Sequence, residues 1–188
     1  MNNMDYNVAN ACHNFYLHTN SFFTNFLKFV TSMGNYGLIF ILISSLLLIF
    51  KNTRLRAIYV FIALLTTLLF SLIIKELAGR NRPFVDTNSD YYKWWIDTGK
   101  LYAFGYSFPS GHTSAAMAFG FSLFLTGNKK TSWLYLLIPF IFGFSRIYFM
   151  VHYFTDVVFG AILGLLMSVI SNFGFNFIKN KYILKKNN

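Results

Sequence analysis

Acidic residues are scarce in this chain, six Asp and Glu against sixteen Lys and Arg in 188 residues, for a formal net charge of +10. Such a balance points to nucleic acid only where the cations gather on a face or an arm. Here they fall in short loops between apolar runs and in the motifs below, so no nucleic-acid partner is expected. Cys12 is the single cysteine, which excludes an internal disulfide. No internal repeat and no low-complexity tract is present. The opening MNNMDYNVAN has no basic stretch followed by an apolar one, and predicts no cleaved leader. What fills the chain instead is apolar sequence: 55% hydrophobic, 21% aromatic and 12% charged. That composition reads as one integral membrane domain, with too little length for a soluble domain beside it.

Between the polar breaks the apolar runs set out the elements. Residues 5–33 are moderately apolar, with Phe22, Phe23, Phe26, Leu27 and Val30 at helical spacing opposite Asn25, Lys28 and Ser32. They predict an amphipathic helix in the interface, preceded by a weaker one around Ala9–Tyr16. After Gly34-Asn35-Tyr36-Gly37, spans are expected at Leu38–Phe50, Ala57–Ile74, Thr113–Thr126, Trp133–Phe149 and Asp156–Ile178. The last is rich in small residues (Gly160, Ala161, Gly164) that allow close helix packing. The expected fold is an all-α polytopic bundle of about five or six transmembrane helices with interfacial N-terminal helices. Residues 76–111 are the only long polar segment, and carry the aromatics Tyr91, Tyr92, Trp94 and Trp95, which favour headgroup level.

The cations then orient the bundle. Lys51, Arg54, Arg56, Lys129, Lys130, Lys179, Lys181, Lys185 and Lys186 share one side, and no acid joins them. By the positive-inside rule that side is cytoplasmic. Segment 75–112 and the stretch 145–156 then share the outer face.

Three clusters meet there. Lys75, Arg80 and Arg82 close one span. Phe108-Pro109-Ser110-Gly111-His112 stands immediately before a helix, whose N-terminus favours an anion. The third is Ser145-Arg146-Ile-Tyr-Phe-Met-Val-His152-Tyr-Phe-Thr-Asp156. From Ser132 to Phe177 only Arg146, His152 and Asp156 among the side chains carry charge near neutral pH. A run that long exceeds one span of ~20 residues. The chain must therefore turn near His152, with Arg146 closing one helix and Asp156 opening the next, although no Gly or Pro lies between Phe144 and Phe159 to mark the turn. Four residues apart, His152 and Asp156 share a helical face, where a carboxylate can fix one imidazole tautomer. Ionisable groups in membrane segments default to function, and this set suits the dispersed charge of a phosphoryl group in transfer. His13 and His18, five apart, fall off a common face and predict interfacial packing rather than a metal site.

Taken in order, Lys75-x6-Arg82-Pro83, Pro109-Ser110-Gly111-His112 and Ser145-Arg146-x5-His152-x3-Asp156 resemble the complete three-part signature of the type 2 phosphatidic acid phosphatase superfamily. The resemblance covers residues 75–156. It implies a membrane lipid phosphatase in which His152 attacks phosphorus, Asp156 orients it, and His112 protonates the leaving oxygen and then activates water. Lys75, Arg82, Ser110, Gly111 and Arg146 would hold the phosphate; Arg80 matches a common but not defining position. No metal or cofactor is implied. Undecaprenyl diphosphate is the expected substrate, at the outer face of the cytoplasmic membrane; phosphatidate and phosphatidylglycerophosphate are the alternatives. A vanadate-dependent haloperoxidase would reuse the same pocket without needing spans. A non-catalytic lipid binder or transporter would not need His112, His152 and Asp156 together.

Overall fold

The structure is a computed structural model that describes residues 3–128 and 130–186, without the side chains of Tyr36 and of residues 178–186. The described residues contain no strand. The helices are α1 (Asn3–Leu17), α2 (Ser21–Met33), α3 (Leu38–Ile49), α4 (Arg54–Ala78), α5 (Asp90–Asp97), α6 (Gly111–Thr126), α7 (Leu137–Tyr148) and α8 (Phe154–Lys186). Lys129 and the side chains of the basic tail lie outside the described residues.

The centre of the bundle is the packed trio α4, α6 and α8, with α7 and α3 laid against it. Close approach of α6 and α8 depends on Gly160 and Gly164. A Cβ on Gly160 would stand 2.7 Å from the carbonyl oxygen of Ser110, and one on Gly164 would overlap that of Ser114. With little hydrophobic force between helices in lipid, small residues and interhelical hydrogen bonds hold such a bundle together. Ser168 supplies the bonds: Tyr59 donates to its carbonyl (2.6 Å), Ser122 to its hydroxyl (3.2 Å), and its own hydroxyl donates to Ala118 (3.1 Å). Leu65, Leu69, Leu72, Phe140, Ile170 and Phe173 point outward and exposed, as lipid-facing side chains do.

By length and composition, α4 and α8 can each cross the hydrocarbon, and α2 with α3 forms a pair bent by 63° that qualifies only as a unit. The expected spans at Leu38–Phe50 and Thr113–Thr126 fall on helices of 12 and 16 residues, and that at Trp133–Phe149 on the helical run Ser132–Tyr148 of 17 residues. Each is shorter than the ~20 residues of a full span. Length alone therefore secures two crossings, or three with the bent pair. Hydropathy does not distinguish a helix buried among helices from one that crosses lipid.

The N-terminal helices dock on the bundle. Both α1 and α2 pack on α7, and α1 also on α8. Tyr6 donates to Asp90 (3.0 Å), and His13 Nε2 lies 2.9 Å from Asp97 with its ring stacked on Trp94, which ties α1 to α5. His18 instead turns back to the carbonyl of Asn14, so the two histidines do not meet.

Candidate active site

Four helix ends converge at one end of the bundle: the C-termini of α4 and α7 and the N-termini of α6 and α8. The turn that carries His152 comes from how α7 stops. Val151 N–H donates to the Arg146 carbonyl (3.1 Å) and Met150 N–H to that of Ile147 (2.9 Å). That is the paired closure of a Schellman motif, whose left-handed position normally holds Gly. Met150 occupies it at φ 52°, a strain of roughly 1–2 kcal/mol. Its side chain is buried with Ile147, Tyr91 and Ala9, and that packing offsets the strain. The absent glycine thus did not prevent the expected turn. The Arg146 carbonyl also accepts from His152 N–H at 3.3 Å, which fixes the two motif residues to one another.

His152 is 3% exposed. Its Nε2 lies 3.2 Å from Arg82 Nη1, and a guanidinium only donates, so Nε2 is the unprotonated nitrogen and Nδ1 carries the hydrogen. Nδ1 faces Asp156 Oδ2 at 3.4 Å, a distance within ion-pair range that does not close as a hydrogen bond. Asp156 Oδ2 also accepts from Tyr153 N–H (2.9 Å) and Oδ1 from Arg80 (2.7 Å). Burial, with the cations Arg146, Arg82 and Lys75 nearby, holds the His152 imidazole well below its usual protonation range. A buried, neutral imidazole with an unprotonated Nε2 is equipped to be a nucleophile.

The phosphate-binding residues expected from the sequence are brought together, but several already have partners. Arg82 is anchored to the carbonyls of Phe104 (2.7 Å), Gly105 (2.8 Å) and Val151 (2.8 Å). Lys75 Nζ donates to the carbonyl of Tyr106 (2.9 Å). Arg146 is buried, donates Nη1 to Thr31 Oγ1 (2.6 Å), and keeps Nε without a partner among the described residues. Ser110 caps α6, its Oγ 2.9 Å from Thr113 Oγ1, and its N–H donates to the Asp156 carbonyl (3.0 Å), which joins the starts of α6 and α8. Gly111 opens α6 with clear space where a Cβ would be. First-turn N–H groups at such a place suit an anion. Arg80 is differently used. It donates to Asp156, Asp5 (2.9 Å) and Thr155 (2.7 Å), with Tyr153 stacked on its guanidinium at 3.9 Å. Its hydrogen bonds thus hold the carboxylate behind His152.

His112 stands in the first turn of α6, its Nε2 3.1 Å from the Thr31 carbonyl and 3.2 Å from Asn35 Oδ1. Burial, with Arg146 and His152 nearby, holds the His112 imidazole well below its usual protonation range, which places both histidines in one cluster. Sequence reasoning missed Asp5, Thr31, Gly34 and Asn35. The only available signals were an acid inside an otherwise weak helix and the Gly34-Asn35-Tyr36-Gly37 break.

Helices and site together define a helical membrane protein with two histidines and a set of cations gathered where four helix ends meet. The chain belongs to the PAP2 superfamily, whose model matches residues 56–178. It is 36% identical over 121 residues to the bacitracin transport permease protein BcrC of Bacillus licheniformis, covering 63% of this chain and 55% of that protein. It is 30% identical over 141 residues to an undecaprenyl-diphosphatase of Sulfolobus acidocaldarius, covering 74% and 66%. The match thus spans about half to two thirds of the length of these two relatives. With the undecaprenyl-diphosphatase BcrC of Bacillus subtilis it shares 28% over 166 residues, 87% of this chain and 80% of the other. The crystal structure of Aquifex aeolicus LpxE superposes with a TM-score of 0.73 at 22% identity, over 88% of this chain and 93% of that one. That of a PAP2-type phosphatidylglycerolphosphate phosphatase from Bacillus subtilis gives 0.68 at 25%, over 92% and 84%.

Proposed function

We propose that this protein is a lipid phosphatase that removes the terminal phosphate of undecaprenyl diphosphate through a phosphohistidine. The observation that carries the proposal is the Arg82–His152 pair, a buried neutral imidazole whose lone pair faces a guanidinium. Nε2 of His152 forms a bond to the terminal phosphorus as the P–O bond to the leaving oxygen breaks. His112, which takes up a proton as the anionic diphosphate binds, gives that oxygen the proton, and undecaprenyl phosphate departs. His112 then takes a proton from water, whose oxygen attacks phosphorus, breaks the N–P bond and releases inorganic phosphate. Lys75, Arg82, Arg146 and the first turn of α6 at Ser110 and Gly111 neutralise the charge in flight.

Substrate choice is supported by two relatives named as undecaprenyl-diphosphatases. A cavity of about 420 Å³ beside Arg82, lined among others by Asn81, Phe84, Phe104 and Tyr106, suits a polar head with an apolar chain. Phe104 in its lining is 84% exposed, in keeping with lipid contact. The site faces the outside of the cytoplasmic membrane, opposite the basic loops.

One panel tests the proposal: phosphate release by the detergent-solubilised protein from undecaprenyl diphosphate, phosphatidate and phosphatidylglycerophosphate, each in excess EDTA. Fastest release from the prenyl diphosphate, unaffected by chelator, is expected. Preference for a glycerolipid replaces the substrate and leaves the mechanism; loss of activity in EDTA, restored by a divalent metal, overturns the mechanism. For the orientation, cysteines at Asn88 and Asn128 in a Cys12→Ala background are exposed to an impermeant thiol reagent on intact cells. Asn88→Cys should react and Asn128→Cys should not; the reverse pattern overturns the outward site.

A further inference from the structure

The amphipathic helix α2 ends against His112, the proposed acid–base histidine. We propose that Asn35, with the carbonyl of Thr31, is the positioning pair for His112: together they hold its Nε2–H and leave Nδ1 as the nitrogen that passes a proton to and from substrate. The inference rests on the proposed phosphatase chemistry and adds to it residues outside the sequence motifs.

Geometry fixes the tautomer. A backbone carbonyl can only accept, so the nitrogen 3.1 Å from the Thr31 oxygen must carry the hydrogen. Asn35 Oδ1, 3.2 Å away, then shares it as a second acceptor. His152 is set the other way, with Nε2 bare against Arg82. The two imidazoles thus begin in opposite tautomers, one offering a lone pair at Nε2 and the other at Nδ1. Burial, with Arg146 and His152 nearby, keeps His112 neutral at rest, and one feature offsets part of that when the anionic substrate brings a proton. Thr31 lies in the last turn of α2, where carbonyls carry the negative end of the helix dipole and favour a cation. Thr31 also receives Arg146 through its hydroxyl at 2.6 Å, so one residue locates a proton donor and a phosphate-binding cation. Gly34 permits this closeness, since a Cβ there would lie 2.6 Å from His112 Cδ2.

The test uses the full chain in detergent, labelled with ¹⁵N-histidine, the His112 signals being identified by their loss in His112→Gln. Protonated Nε2 with bare Nδ1 is expected in the resting protein. Turnover is then compared for two leaving groups, a long-chain alkyl phosphate, whose alkoxide needs a proton, and p-nitrophenyl phosphate, whose anion hardly does. Asn35→Leu should slow the alkyl substrate roughly tenfold more than the nitrophenyl one, as loss of an oriented general acid requires. Asn35→Asp, which keeps an acceptor, should restore the ratio. A resting Nδ1–H tautomer overturns the inference even if the protein hydrolyses nothing, in which case the proposed function fails separately. Equal losses on both substrates, or none on either, also overturn it, since each marks Asn35 as packing alone.

Discussion

Replacing Gly34 with Ala adds one methyl group between two rings. The backbone imposes no penalty, because φ is −78° and ψ −4°, a conformation Ala adopts freely. The new Cβ would stand 2.6 Å from both His112 Cδ2 and Phe142 Cε1, where ordinary contact begins at 3.4 Å. Each ring is therefore about 0.8 Å too near, an overpacking that costs the fold about 1–3 kcal/mol. Phe142 is buried with its ring 5.1 Å from Phe40, and has little room to retreat. His112 is held by bonds of 3.1 and 3.2 Å to the same corner that carries Gly34. The imidazole should yield, and a shift of about 1 Å in a reacting group costs on the order of 100-fold, or ~2.7 kcal/mol of barrier. Steady-state turnover with the same two leaving groups reads this out. An alkyl phosphate should lose about 100-fold and p-nitrophenyl phosphate less than about tenfold. Unchanged turnover of the alkyl substrate by a folded Gly34→Ala variant would refute the reasoning. So would equal loss on both substrates.

The other predictions concern the two histidines and the network behind them. His152→Ala should be inactive on every substrate, whereas His112→Ala should release about one nitrophenolate per site from p-nitrophenyl phosphate and then stall, with acid-labile phosphate on the protein. Phosphate on His112 in an active His152→Ala variant reverses the roles. Because burial and cations depress His152, it stays unprotonated as pH falls past the ordinary histidine range, so the acid limb of kcat/KM should lie below about pH 6.5. A limb above that value, lost in no other histidine variant, contradicts the neutral nucleophile. Asp5→Ala removes acceptors from Arg80 and from Thr155 N–H and Oγ, and should destabilise the fold by about 2 kcal/mol in thermal unfolding. An unchanged Tm would show that α1 is not fastened to the site.

Residues within a few positions of a helix end were legible in the sequence because their chemistry is local. Charges in an apolar run must sit where the run turns, and Arg146, His152 and Asp156 do so around the end of α7 and the start of α8. Serine before a helix predicts a cap, and Ser110 is one. Small residues in α8 implied close packing, and Gly160 and Gly164 meet the backbone of α6 and its cap.

Only the tertiary structure decided the partners. Thr31 and Asn35 reach His112 across 81 and 77 residues, and Asp5 reaches Thr155 across 150. A threonine carbonyl, an asparagine and an aspartate on amphipathic helices look like interfacial surface until those helices dock. Arg80 resembled a phosphate ligand by position, and its hydrogen bonds go to Asp5, Asp156 and Thr155. Even the turn at Met150 depended on burial to offset a backbone strain that local sequence did not announce. Periodicity and hydropathy report what one segment prefers. Hydrogen bonds between distant segments exist only once packing has excluded water and brought donor and acceptor together.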